Sequence, residues 1–202
     1  MEKLQFGSTY HIYNRGVNRC NLFYEKANYR YFLRLFADHI APVVQVFAYC
    51  LLPNHFHFLL RLLDADEILN RTDLHDYWKH ARDNRPHQYF SNFFNAYART
   101  INDRYGRTGS LFQRPFGRIP VTTDAYFFNL ITYIHRNPQK HRLVADFCDW
   151  PYSSYDAILH DKPTRVCKTA VLEWYGGLDQ FEEAHQIAPD EAPLQKWLGD
   201  IE

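Results

Sequence analysis

Residues 51–60 read LLPNHFHFLL, and the segment sets His55 and His57 one residue apart inside an otherwise apolar run. In a β-strand, residues i and i+2 lie on one side of the sheet, so the two imidazoles project together while Phe56 and Phe58 face the opposite core. Neutral imidazole is a common ligand of divalent transition metals, and two on one strand make half of a metal site. An isolated H-x-H is just as readily a pair of hydrogen-bonded, partly buried histidines. A second pair sits farther along: Tyr133 and Asn137 are four residues apart in a helical pattern and share a face. Phe127, Leu130, Ile131 and Ile134 already supply that helix's apolar stripe, which leaves Tyr133 unneeded for amphipathicity. Asn137 offers a neutral amide oxygen as a third ligand, although a packing tyrosine and a helix-ending asparagine before Pro138 account for the same pattern.

A third feature is a basic stretch interleaved with aromatics, ARTINDRYGRTGSLFQRPFGRI, residues 98–119. It holds Arg99, Arg104, Arg107, Arg114 and Arg118, with Tyr105, Phe112 and Phe116 between them and Asp103 as its one acid. Arginines on phosphates and aromatics stacked on unpaired bases are the chemistry of single-stranded nucleic-acid binding. YNRGVNR, residues 13–19, adds Arg15 and Arg19 beside a glycine.

The elements that must position these groups follow from the apolar periodicity. Residues 8–16 read as a strand and 25–41 as an amphipathic helix stopped by Pro42. Residues 43–53 and 55–63 read as a hairpin turning at Pro53-Asn54. Residues 64–87 give only a loop or short helix. A long helix is expected over 88–105, one or two strand pieces broken by Pro115 and Gly117 over 110–121, and a helix over 123–137 with Asp124 as N-cap and Pro138 just past its end. A short helical segment is expected over 149–159 and one last amphipathic helix over 168–187. The order β-α-β-β-α-β-α, with two strands joined by a hairpin, predicts an α+β fold: a ferredoxin-like antiparallel or mixed sheet with helices packed on it.

Composition narrows the class. The chain has 202 residues and a formal net charge of zero, but residues 179–202 carry seven acids against Lys196 alone. The tail is thus −6 and residues 1–178 are +6, a basic body compatible with a polyanionic partner. The four cysteines at 20, 50, 148 and 167 form no C-x-x-C pair, which argues against a disulfide framework or a cysteine zinc site. The N-terminal residues lack the apolar core of a signal peptide, and no apolar run approaches the roughly 20 residues that span a bilayer. These features predict a soluble protein of a reducing cytoplasm.

PNHFHFLL, RYGRTGSLFQRPF and YIHRNPQKHRLV, in this order and at this separation, resemble the single-tyrosine HUH transposases, and most closely the REP-associated tyrosine transposase branch. The resemblance runs over residues 10–155. It implies an HUH domain over 1–160, leaving 161–202 as a C-terminal helical extension with an acidic tail. It further implies a nuclease and strand transferase acting on single-stranded DNA, with Tyr133 as nucleophile, His55, His57 and Asn137 as ligands of Mg²⁺ or Mn²⁺, and a covalent 5′-phosphotyrosine intermediate. Arg15, Arg104, Arg107, Arg114, Arg118 and Phe112 would hold a DNA hairpin with a short unpaired flank. Leu52 stands where many relatives have Met, a change of packing rather than chemistry. A catalytically silent hairpin-binding protein and a hydrolase of a small phosphorylated substrate remain as alternatives, and monomer and dimer are both open.

Overall fold

The computed structural model describes residues 3–70, 86–160, 163–190 and 192. Four strands make one sheet: β1 (Thr9–Arg15), β2 (Val44–Leu52), β3 (His55–Leu62) and β4 (Gly117–Pro120). Their order is β2-β3-β1-β4, and every pairing is antiparallel. Helix α1 (Lys26–His39) carries the chain from β1 past the β3 position to β2, and the β2–β3 hairpin then fills the gap, giving the expected ferredoxin-like order. The hairpin turn is Pro53-Asn54, as read from the sequence.

Strand alternation sorts side chains onto two faces. Tyr10, Ile12, Phe56, Phe58 and Leu60 meet Phe32 and Phe36 of α1 and Phe90, Phe93 and Tyr97 of α3 (Pro86–Tyr105). On the other face Cys50, Leu52 and Leu59 meet Leu130, Ile131, Tyr133 and Ile134 of α4 (Asp124–Lys140). A bulge between Val46 and Ala48 shifts the register of β2, so that Val46 faces the first core while Phe47 and Ala48 both face the second. The short α2 (Ala65–Leu69) follows β3; the rest of the 64–87 expectation, residues 71–85, lies outside the described residues.

Four boundaries differ from the sequence reading. Helix α4 is capped by Thr123, whose Oγ1 accepts the Tyr126 N–H, and Asp124 falls in the first turn, where its charge suits the helix dipole. Pro138 lies inside α4 rather than beyond it. The helix survives the missing N–H because the next donors close its last turn, His141 N–H to Asn137 O and Leu143 N–H to Pro138 O, both at 2.9 Å. The single helix expected over 168–187 is two, α6 (Lys168–Tyr175) and α7 (Leu178–Gln186), split at Gly176 and Gly177 with φ of 89° and 126°. The segment expected over 149–159 starts its helix only at Tyr155, as α5 (Tyr155–Leu159).

A buried polar chain ties α7 to α4 and the sheet. His185 Nδ1 lies 2.7 Å from Phe181 O and must donate, since a carbonyl only accepts. His185 Nε2 therefore accepts from His135 Nδ1 at 2.8 Å, and His135 Nε2 accepts from Ser154 Oγ at 2.7 Å. Ser154 Oγ in turn accepts the Tyr49 N–H of β2 at 2.8 Å. Burial pushes the His185 pKa down to about 4 and that of His135 well below its usual value. Both rings are neutral when folded, so below pH 6.5 the unfolded chain takes up protons first and stability falls as pH drops toward 4. Each such histidine contributes a slope of at most about 1.4 kcal/mol per pH unit. Urea midpoints measured at pH 7 and pH 4.5 should therefore fall farther in the wild type than in His185→Leu; equal falls would count against this source of acid sensitivity.

Candidate functional site

The β1–β3 register builds the site. Tyr13 pairs with His57 and Arg15 with His55, so His11, Tyr13 and Arg15 share the face that carries both strand histidines. Helix α4 lies over this face and brings Tyr133 against His57, with ring centroids 5.8 Å apart and nearly perpendicular. Asn137, one turn on, donates from Nδ2 to Tyr133 O at 3.2 Å, confirming that the two share a helix face. The structure thus brings Tyr133 of α4 against His57 of β3, beside His55, joining two distant segments, with Asn137 one helical turn beyond Tyr133.

The hydrogen bonds of this group leave a consistent remainder. His55 Nδ1 lies 2.7 Å from Asn54 Oδ1, and His57 Nδ1 lies 2.9 Å from His11 Nε2. His55 Nε2, His57 Nε2 and Asn137 Oδ1 are buried and have no hydrogen-bond partner among the described residues. An imidazole protonated on Nδ1 offers its Nε2 lone pair, and an amide offers its oxygen, to a divalent ion. Two imidazoles and an amide oxygen fit a divalent ion with room left for substrate oxygens. No three His, Cys, Asp or Glu side chains gather into a metal site among the described residues. Burial, then His141 and Arg15, push the His55 pKa down to about 3, and burial drives that of His57 well below its usual value. Both rings are therefore in the neutral form that binds metal.

Tyr133 is only 1% exposed, and Lys140 Nζ stands 5.1 Å from its ring centre. A cavity of about 380 Å³ beside it is lined by Tyr133, Arg136, Gln139, Lys140 and residues 188–190. The chain after α7 is pinned there by Asn129, whose Oδ1 accepts the Asp190 N–H at 2.8 Å and whose Nδ2 donates to Asp190 O.

The six residues expected to hold DNA separate into three places. Arg114, Arg118 and Phe112 line a groove of about 1160 Å³ between α3 and the 109–118 segment, together with Lys3, Asn14, Asn95 and Asn102. No acidic side chain is among its described lining residues. Phe112 is 5% exposed and packs on Phe94 and Tyr97, so it shapes the groove floor and does not offer an open stacking face. Arg104 pairs with Glu25 at 2.6 Å, and Arg107 donates to Tyr24 Oη at 3.3 Å, both outside the groove lining. Arg15, 8% exposed, belongs to the histidine face, where alternation puts it opposite His55, and not to the groove surface. The groove reaches that end of the sheet because Gln113 N–H bonds Arg15 O at 2.8 Å.

Sequence reading passed over His11, Asn54, Lys140 and Gln139. His11 was legible: in TYHIYNR, Tyr10 and Ile12 alternate with His11, Tyr13 and Arg15 on what becomes the histidine face. Gly117 is also part of the site, since a Cβ there would lie 2.1 Å from the Tyr13 ring, which itself stands 5.0 Å from His11 and 6.2 Å from His57. Gly117→Ala should displace Tyr13 and cost about 1–3 kcal/mol in chemical denaturation, as overpacking does; an unchanged midpoint would show that Tyr13 yields without cost.

No protein-family model matches the chain. A Haemophilus influenzae protein named as a REP-associated tyrosine transposase is 32% identical over 111 residues, 54% of this chain. The match spans 57% of that relative's length. Among solved structures, a REP-associated tyrosine transposase bound to a REP hairpin superposes with a TM-score of 0.50 at 19% identity, over 78% of this chain and 84% of the other. The resemblance carried by the three sequence motifs is thus met by a sequence relative, and the α+β fold by a structural neighbour.

Proposed function

We propose that the chain is a REP-associated tyrosine transposase, a metal-dependent enzyme that cuts and rejoins single-stranded DNA beside a hairpin through a covalent 5′-phosphotyrosine. The observation that carries this reading is the Tyr133 ring set against that of His57, with His55 Nε2, His57 Nε2 and Asn137 Oδ1 buried and without a hydrogen-bond partner among the described residues. The groove lined by Arg114 and Arg118, with no acid among its described lining residues, supports the polyanionic substrate.

His55, His57 and Asn137 would hold Mg²⁺ or Mn²⁺, with two nitrogen ligands favouring Mn²⁺. When bound, the ion withdraws charge from the oxygens of the scissile phosphate. Tyr133 Oη attacks phosphorus, the bond to O3′ breaks, the phenolic proton leaves to water and the departing O3′ takes one up. The phosphodiester energy is kept in the tyrosyl ester, so a second 3′-OH reverses the step and joins strands without a nucleotide cofactor. Attack requires Tyr133, buried in this structure, to be uncovered when substrate binds. Arg114 and Arg118 hold phosphates along the groove, and the exposed Asn95 presents its amide to a base or sugar there. Such a protein would work where the DNA is, in the cytoplasm.

The burial of Tyr133 also favours the second reading, a hairpin-binding protein that no longer cuts. One experiment separates the two. Labelled single-stranded hairpins are incubated with protein and Mn²⁺ and run on a denaturing gel. Metal-dependent covalent adducts that vanish in Tyr133→Phe, with hairpin binding retained, are expected; binding without adducts would leave the silent reading standing, and cleavage surviving in the variant would make water the nucleophile. For the groove, Arg114→Ala and Arg118→Ala should each reduce the slope of log affinity against log salt by about 0.7–0.9. Unchanged slopes in both variants would take the groove out of the DNA path.

A further inference from the structure

We propose that His11 is a positioning residue for His57, holding its imidazole as the Nδ1–H tautomer so that the Nε2 lone pair is left for the metal. The inference rests on the metal reading above. His11 sits on β1 diagonally across from His57, with the two rings stacked at 5.1 Å and 21°. His11 Nε2 and His57 Nδ1 are 2.9 Å apart.

Two neutral imidazoles joined by one hydrogen bond have two arrangements. In one, His57 Nδ1–H donates to His11 Nε2, and His57 Nε2 is bare. In the other, His11 Nε2–H donates, and His57 must carry its proton on Nε2, where it blocks coordination. Only the first is compatible with a metal ligand, and a partner on the far nitrogen is what fixes the tautomer and the ring plane of such a histidine. Asn54 does the same for His55 through an oxygen that accepts at 2.7 Å, so both ligand histidines are braced from the Nδ1 side.

Packing alone gives no reason for a histidine at position 11. The residue is fully buried in the middle of a strand bonded on both sides, in register with Leu59 and Ile119, and under the ring of Tyr13. Its Nδ1 has no hydrogen-bond partner among the described residues. An apolar side chain would avoid that unsatisfied atom, and the bond to His57 is the one hydrogen bond that the imidazole makes among the described residues.

The test is Mn²⁺ binding to the DNA-free protein, followed by electron paramagnetic resonance of unbound Mn²⁺. His11→Phe keeps a ring but removes the acceptor, and should weaken Mn²⁺ binding about 10–100-fold. His11→Gln returns an oxygen acceptor to this position and should recover most of that loss, which a purely structural role would not produce. Wild-type affinity in His11→Phe, or equal losses in the two variants, would overturn the proposal. Where His11→Phe fails to fold, the wild type loaded with diamagnetic Zn²⁺ serves. Long-range ¹H–¹⁵N correlation should find the protons on Nδ1 of both rings, and a bare His57 Nδ1 would overturn the assignment. A wild type that takes up no Mn²⁺ would sink the metal reading and this proposal with it, whereas Mn²⁺ uptake lost in His57→Ala but indifferent to His11 would remove His11's part alone.

Discussion

The pairing register of β1 with β3 is the constraint on which the site depends. Tyr13 opposite His57 and Arg15 opposite His55 put His11, Arg15 and both β3 histidines on one face and every phenylalanine of β3 on the other. A slip of one residue would turn both imidazoles into the aromatic core between α1 and α3 and push Phe56 and Phe58 toward α4. Several features hold the register: the two-residue turn at Pro53-Asn54, the double-sided pairing of β1, and the packing of Phe32, Phe36 and Phe58 beneath. The chemistry is thus placed by hydrophobic sorting of the strands, and the histidines occupy positions that the core leaves over.

The second placement is that of α4 on the sheet. Leu130, Ile131 and Ile134 supply the apolar contact, and His135 adds a directed polar one. Because the helix runs on through Pro138 to Lys140, Asn137 stays one full turn from Tyr133, and the unsatisfied amide oxygen lies on a helical rather than a loop residue. His55, His57, Tyr133 and Asn137 therefore all sit on regular elements, which fixes their backbone positions.

Much of this was legible in the sequence because it follows from short-range pattern. The period of two in HFHFLL and the four-residue spacing of Tyr133 and Asn137 fix faces without reference to the rest of the chain. What was not legible depends on partners far away in sequence. Arg15 reads as a surface cation until β1 is seen to be central, and Phe112 reads as a stacking platform until Phe94 and Tyr97 are packed on it. Pro138 reads as a terminator because the bonds that carry the helix past it come from His141 and Leu143. The split of the last helix was available in Gly176-Gly177, and the apolar periodicity on either side concealed it.

The chain of bonds from Phe181 O through His185, His135 and Ser154 to Tyr49 has one proton in each link, with every direction fixed by the carbonyl at its end. Such a chain has a single sense and cannot be shortened by sliding one helix along another. Helix α7 is thereby keyed to the helix that carries Tyr133, and the two form one mechanical body. A spectroscopic label on the solvent side of α7 would then track displacements of the tyrosine helix from a position that never touches the site.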